Sequence, residues 1–352
     1  MLWLWLNKWH KDSDRPLIPG QGMMLSCYGK GVGIDMETRK MLFVYNPRAG
    51  KAKIRNKLCD IIDIFVKAGY EVTVYPTQQE GDAIRAVRDK KDSYDLLVCS
   101  GGDGTLDEAV NGMIKCRKQI PIGYIPAGST NDFAKSLGIP KDMVKAAEVI
   151  ANGRDYPCDI GSINEECFVY IAAFGLFTDV SYETSQDIKN LLGHMAYILE
   201  GMKRLPSIKS YKMKISYKQK AKKEPGLGEM GQEGVYEEKT VEDEFIFGMV
   251  TNSISVGGFK RITGKYVELD DGEFEVTLIR KPSNPLDINV IIAALLNRRI
   301  NTEYMYCFKT PEIVFESQEE IPWTTDGEFG GNHKKVDIKN RKQAVWIKIP
   351  EK

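Results

Sequence analysis

Leu96-Leu97-Val98-Cys99-Ser100-Gly101-Gly102-Asp103-Gly104-Thr105-Leu106-Asp107-Glu108 runs from an apolar stretch, through glycines interrupted by an acid, into a helical period at Leu106, Val110, Met113 and Ile114. The pattern is that of a buried strand that breaks and restarts as a helix. At such a junction the N–H groups of the first helical turn have no intrahelical partner, so an anion, phosphate above all, is the favoured ligand. Glycine is required because the loop needs positive φ values and close approach of a ligand to the main chain. Thr105 and Glu108 have the T-x-x-E spacing of a capping box, which sets the start of the helix at that point. Asp103 is the unusual member. It would repel a bare phosphate and suits a metal ion, a water shell or a hydroxyl.

Outward from this stretch, strand and helix alternate. Residues 41–46 are apolar, and Ile54, Leu58, Ile61, Ile62, Phe65 and Val66 recur at helical spacing. Residues 71–75 alternate as a strand, 83–88 suit a helix, 120–125 form a further strand, and a helix is expected over 130–137. Strands separated by single helices imply a parallel sheet whose ligands sit at the carboxyl ends of the strands. Past about residue 155 the pattern changes. Strands are expected at 168–173, 211–217, 245–250, 274–279, 312–315 and 345–349, with helices only at 185–203 and 285–296, and a charged, glycine-rich hairpin excursion at 218–238. The expected fold is α/β: a parallel-sheet nucleotide-binding domain over 39–155, then a mostly antiparallel β-sandwich domain over 156–352. Residues 1–38 are read as a disordered extension without assigned function.

Composition narrows the class. Lys+Arg and Asp+Glu balance at 49 each, so nothing points to a nucleic-acid partner, and any attraction to a membrane must be local. The 7 cysteines show no C-x-x-C spacing and the 3 histidines lie far apart, which argues against a disulfide framework or a structural zinc and fits a reducing cytoplasm. The apolar start, Met1-Leu2-Trp3-Leu4-Trp5-Leu6, is too short for a membrane span or a signal-peptide core.

Two more strand ends carry small polar groups. Asn46-Pro47-Arg48-Ala49-Gly50-Lys51 follows the first strand, and it lacks the first glycine and final hydroxyl of a P-loop. Gly128-Ser129-Thr130-Asn131-Asp132-Phe133-Ala134 follows the fourth. Each alone reads as a connecting turn or an N-cap. A scaffold does not need such groups at three of its four strand ends. Far downstream, Asp326-Gly327-Glu328 offers a carboxylate for a cleft between domains, as phosphoryl transfer requires to accept the proton of an attacking hydroxyl.

In order and spacing, N-P-x-x-G-K at 46–51, S-G-G-D-G-T-x-x-E-x-x-N-G at 100–112, G-x-x-N-D-F-A at 128–134 and D-G-E at 326–328 resemble the diacylglycerol kinase catalytic-domain family. That family takes in bacterial lipid kinases and the sphingosine and ceramide kinases. The resemblance spans roughly 41–350. It implies an ATP- and Mg2+-dependent lipid kinase of phospholipid metabolism that transfers the γ-phosphate to a lipid hydroxyl, with diacylglycerol to phosphatidic acid as the leading reaction. It implies that Asn46, Pro47, Arg48, Ala49, Gly50, Thr77, Gly101, Gly102, Asp103, Gly104, Thr105, Leu106, Asp107, Ser129 and Asn131 bind ATP. Asp103 would stand near the catalytic Mg2+ and Glu328 would be the general base. Ser129 stands where many relatives have Thr, which keeps the hydroxyl. A loop at 269–272 resembles one that carries a structural Mg2+ in some bacterial members, with Asp271 as ligand; a plain Asp-Gly turn is the competing reading.

Phe174, Leu176, Phe177 and Trp323 are candidates for a lipid cleft or for the sandwich core. Lys203, Arg204 and Lys209 are candidates for contact with anionic head groups or for a solvated face. The expected partner is a lipid substrate at a membrane surface, met from the cytoplasm by peripheral contact and without a transmembrane span; a homodimer is admitted. The alternatives are a kinase of a soluble alcohol, similar to NAD kinases, and a non-catalytic nucleotide- or lipid-binding regulator.

Overall fold

The computed structural model describes residues 38–90, 93–116, 119–129, 131–175, 209–221, 235–253, 255–256, 259–260, 268–297 and 303–351. Within it β3 (Leu96–Gly101) is buried along its whole length and runs parallel to β1 (Arg39–Tyr45) on one side and β4 (Ile122–Pro126) on the other. A strand covered on both faces shows no polar side, which is why its sequence reads as an unbroken apolar run. β2 (Tyr70–Pro76) joins β1 in parallel. Between these strands lie α1 (Ala49–Ala52), a 3-10 turn (Lys53–Asn56), α2 (Leu58–Lys67), α3 (Asp82–Lys90) and α4 (Asp103–Ile114); α5 (Asp132–Ser136) and α6 (Met143–Asn152) follow β4.

α4 starts three residues earlier than the T-x-x-E spacing indicates. Its N-cap is Gly102, in extended conformation and with no side-chain cap. Glu108 does not reach back along its own helix. Its two carboxylate oxygens accept from Gly81 N (2.9 Å) and Ala83 N (3.0 Å) at the start of α3. Two unpaired donors of a neighbouring helix outcompete the single donor available at its own cap.

The second half contains β5 (Arg154–Ile163), β6 (Glu166–Phe168), β7 (Ile171–Gly175), β8 (Tyr211–Lys220), β9 (Tyr236–Thr251), β10 (Ser255–Val256), β11 (Phe259–Lys260), β12 (Phe274–Arg280), α7 (Pro285–Asn297), β13 (Met305–Thr310), β14 (Glu312–Thr325) and β15 (Glu328–Ile349). β10 and β11 pair only with each other. The strands from β5 onward pair with one another antiparallel. β15 also runs parallel to β4 at Ile347–Ile122, so one mixed sheet of order β13-β12-β9-β7-β14-β15-β4-β3-β1-β2 passes through both halves. β14 and β15 extend well beyond 312–315 and 345–349, and β5 had no mark in the sequence reading. Their middles carry charged, solvent-facing residues such as Lys334 and Lys335 that hide the strand period. The helix read at 185–203 and most of the excursion at 218–238 lie outside the described residues.

Side-chain alternation divides the second half into two cores. Phe174, Phe245, Phe274, Phe315 and Trp323 pack on one face, while Ala173, Phe247, Met249 and Ile279 pack on the other beneath Ile288, Ile291 and Ala294 of α7. Phe174 and Trp323, candidates for a lipid cleft, are therefore core residues, 0% and 1% exposed with ring centroids 4.9 Å apart. Leu176 and Phe177 lie outside the described residues. The described cysteines are free thiols.

Candidate active site

Three strand ends of the parallel sheet converge, and close main-chain packing holds them together. After β1, Asn46 Oδ1 accepts from Arg48 N (2.9 Å) and Asn46 N donates to Ser100 O (2.8 Å), which ties this turn to the end of β3. Gly50 follows with φ +55, and a Cβ there would lie 1.9 Å from Ala127 O. Only glycine allows this approach of the β1 and β4 loops. At the β3 end, Gly101 O accepts from Ala127 N (2.7 Å) and Gly128 N (3.2 Å), and the Tyr124 hydroxyl stands 3.2 Å from it. Gly128 backs onto Gly102: a Cβ on Gly128 would lie 2.7 Å from Gly102 Cα.

The cleft these loops form has a volume of ≈ 480 Å³ and is lined by Asn46, Arg48, Ala49, Gly50, Thr77, Gly102, Gly104, Thr105, Ser129 and Glu328 among the residues expected from sequence. It is also lined by Gln78, Gln79, Glu80, Glu108 and Gly128, which the sequence reading did not assign. Thr77 is placed by its N–H to Tyr45 O (2.9 Å), and Gln78 N and Gln79 N donate to Asp82 Oδ2 (2.7 and 3.1 Å). Asp82, the first residue of α3, thus holds in place the segment that precedes it.

Other expected residues sit behind the lining. Pro47 lies in the β1–α1 turn and Gly101 ends β3. Leu106 is core, 1% exposed. Asn131 holds the third loop in shape: its Oδ1 accepts from Gly128 N (2.9 Å) and its Nδ2 donates to Gly128 O (2.8 Å). Its own φ of 51 puts it in the left-handed region, where Asn is tolerated. Asp103 opens α4 beside Tyr170 and Tyr124. Burial first, then the charges of Asp103 and of the buried Asp132, push both phenols up. Asp132, whose Oδ1 accepts from Lys135 Nζ (3.0 Å), is the acid sequence reasoning left as a capping residue.

Asp326-Gly327 is a two-residue hairpin turn between β14 and β15, with φ 52 and 90 and Thr325 paired to Glu328. Positive φ at both positions is the type I′ geometry that Asp-Gly suits. The turn sends two carboxylate side chains in opposite senses. Asp326 points inward, accepting from Val169 N (2.6 Å), Tyr170 N (2.9 Å) and Ile171 N (3.0 Å). Glu328 points at the start of α4, where a Cβ on Gly104 would meet its Oε1 at 3.0 Å. Burial, then repulsion from Glu80 and Glu108, raises the Glu328 carboxyl above its ordinary value.

Asp107 is turned away from the cleft and hydrogen-bonds to Asp326. Burial pushes both carboxyls up. The three N–H donors keep the charge on Asp326, so the proton the pair needs resides on Asp107. Asn111 Nδ2 donates to Asp107 Oδ1 (2.9 Å).

The 269–272 loop is built around buried Asp159, whose carboxylate accepts from Gly272 N (2.6 Å), Gln343 N (2.7 Å) and Asn340 Nδ2 (3.3 Å). Asp271 accepts from Glu273 N (2.9 Å) and from Lys309 Nζ (2.8 Å), and the same ammonium lies 3.2 Å from Glu275 Oε1. A cation is therefore already supplied to Asp271 by the chain. Among the described residues no three His, Cys, Asp or Glu side chains converge as a metal cage. Lys209 Nζ lies over the Tyr211 ring, 5.4 Å from its centroid, and Lys203 and Arg204 lie outside the described residues.

Residues 40–163 match the family model described as the diacylglycerol kinase catalytic domain. The chain is 32% identical over 295 residues to the diacylglycerol kinase of Bacillus subtilis, covering 83% of this chain and 91% of that one. It is 31% identical over 314 residues to that of Staphylococcus carnosus, covering 89% and 96%. In fold it is similar to the crystal structure of a diacylglycerol kinase from Bacillus anthracis, with TM-score 0.65 at 22% identity over 89% of this chain and 97% of that one.

Proposed function

The chain belongs to the bacterial diacylglycerol kinase family, kinases that transfer phosphate to a lipid alcohol, and we propose that it moves the γ-phosphate of ATP to the hydroxyl of diacylglycerol to give phosphatidic acid. The observation that carries the proposal is the placement of the Glu328 carboxylate over Gly104 at the N-terminus of α4. A base and a phosphate-binding helix end thus face each other across one cleft. In this reading the first-turn N–H groups of α4 and the loop at Gly128 cradle the phosphates, and Gly50 lets the β1 loop close against Ala127. Asn46, Arg48, Thr77 and Ser129 hold the rest of the nucleotide. Glu328 takes the proton of the lipid hydroxyl as it attacks, a role its raised carboxyl pKa suits.

Mg2+ would be held by Asp103. No all-protein cage surrounds it among the described residues, and Mg2+ ordinarily binds through one or two carboxylates plus substrate phosphates and water. Once bound it supplies neutralisation of the charge that develops on the phosphates. Asp271 is left out of this assignment because Lys309 already neutralises it. The proposal assigns 39–155 to the nucleotide and 156–352, as a β-sandwich, to the lipid, with catalysis from the cytoplasmic side in peripheral contact with a membrane. No described helix is long and apolar enough to cross one.

The test is transfer of label from γ-labelled ATP into the organic phase, with Mg2+ and detergent-dispersed diacylglycerol. Label is expected with the native chain and reduced by a factor on the order of 10² or more in Glu328→Gln. Label entering only a soluble alcohol, or ATP binding without transfer, would replace the proposal by a soluble-alcohol kinase or by a regulator.

A further inference from the structure

α2, α3 and α6 turn charged residues to solvent: Asp60, Asp63 and Lys67; Arg85, Arg88 and Asp89; Lys145 and Glu148. α7 does not. Over 286–294 its exposed positions are Leu286, Asn289, Val290 and Ala293, spaced as one helical face, with Leu286 73% and Val290 46% exposed. Its opposite face, Ile288, Ile291 and Ala294, is buried against the sheet. The one acid of the segment, Asp287, is turned back to cap the helix, accepting from Ser283 N (2.8 Å) and Asn284 N (3.0 Å). A helix apolar on both sides is ordinarily enclosed by protein or lipid.

The floor beneath α7 is continuous with the candidate active site. Phe247 and Ile279 lie under the helix. Four residues further along β9, about 13 Å at the ordinary strand rise, Thr251 pairs with Ile171, whose carbonyl accepts from Asp326 N (2.9 Å) in the turn that carries Glu328. The acceptor of the reaction is a lipid alcohol, which sits in a bilayer, and a face without charge fits the acyl boundary rather than the head groups. We infer that the Leu286–Val290–Ala293 face of α7 is the surface by which the protein inserts shallowly into a lipid bilayer to collect its substrate. This rests on the lipid-kinase reading above.

Flotation with phosphatidylglycerol–phosphatidylethanolamine vesicles carrying diacylglycerol tests it, using the full chain and the double variant Leu286→Glu, Val290→Glu. Both positions are exposed, so the fold tolerates the change. Loss of apolar insertion at each should weaken partitioning about tenfold, and about 100-fold together. Activity on a short-chain, water-soluble diacylglycerol should be unchanged, and binding by the native chain should survive high salt. Equal flotation of the two proteins, or flotation of the native chain abolished by salt alone, would overturn the inference. So would conversion of a native dimer to a monomer by the double variant, because α7 would then face a second copy. Failure of both proteins on the short-chain substrate would instead strike the kinase reading, whatever the flotation result.

Discussion

Replacing Asp107 by Asn removes a proton from the folded state and keeps a donor aimed at Asp326. In the native chain burial, then the charges of Asp326, Glu328 and Glu108, push the Asp107 carboxyl well above its ordinary 3.8. In the unfolded chain it returns to that value. Folding therefore takes up a proton at any pH between the two. Whatever stability this group contributes is fully present below the ordinary value and is lost as pH rises toward the native one. At pH 7, holding a proton on a carboxyl whose ordinary value is 3.8 costs up to about 4 kcal/mol. The hydrogen bond it makes to a charged acceptor returns about 1.5–3 kcal/mol. In Asp107→Asn the amide oxygen accepts from Asn111 Nδ2 as before, and the amide N–H₂ donates to Asp326 without proton uptake.

The variant should thus be more stable than the native chain by about 1–4 kcal/mol near pH 7, with the advantage shrinking toward zero near pH 4. Urea unfolding followed by tryptophan fluorescence, at several pH values, measures the difference directly, and titrations common to both proteins cancel. Turnover should stay within a few-fold, since the Asp326 turn and Glu328 keep their places. A stability difference between the two proteins that is independent of pH, or smaller at pH 7 than at pH 5, would show that Asp107 carries no proton in the folded chain.

Gly50→Ala places a Cβ 1.9 Å from Ala127 O at a residue with φ +55; the β1 loop must move, and ATP affinity by calorimetry should fall at least about tenfold while the far-UV spectrum is retained. The rate should rise with pH through a group above the ordinary 4.5 of Glu328, and Glu328→Gln should erase that limb along with most of the turnover; a limb that persists in the variant would belong to another group. Asp103→Ala should abolish Mg2+-dependent transfer while leaving the unfolding midpoint within about 1 kcal/mol of native, because the residue opens a helix at the surface of the core. Trp323→Ala should destabilise by about 3–5 kcal/mol, as loss of a core residue does; a loss of lipid affinity with stability intact would restore it to the lipid cleft.

Much of the nucleotide half was legible along the chain, because its signals are local. A fully buried parallel strand needs an apolar run, a helix start at a ligand site needs glycine, and both fall within the span 96–104. The second half was harder. β14 and β15 form a long ribbon whose solvated face breaks the alternation, so only 312–315 and 345–349, the ends farthest from the turn, were visible as strand. Glu108 shows the limit of a local rule: its spacing from Thr105 satisfied a capping box, yet its oxygens went to Gly81 and Ala83, residues distant in sequence. Asp271 shows the same limit for charge, since the ammonium that meets it comes from Lys309 on another strand.

By itself the sequence determined where the loops can close on one another, because Gly50 takes a positive φ and Gly101 and Gly128 leave no room for a Cβ. It also determined that Asp326-Gly327 turns the chain back. Only the tertiary structure decided what that turn is for. The sheet carries it to the main-chain donors of 169–171, fixes Asp326 inward against a protonated Asp107, and so leaves Glu328 facing α4 from more than two hundred positions away in the chain. Carboxylates separated in that way interact only through the space the fold encloses, where burial and shared donors, rather than spacing, set which of them holds the proton.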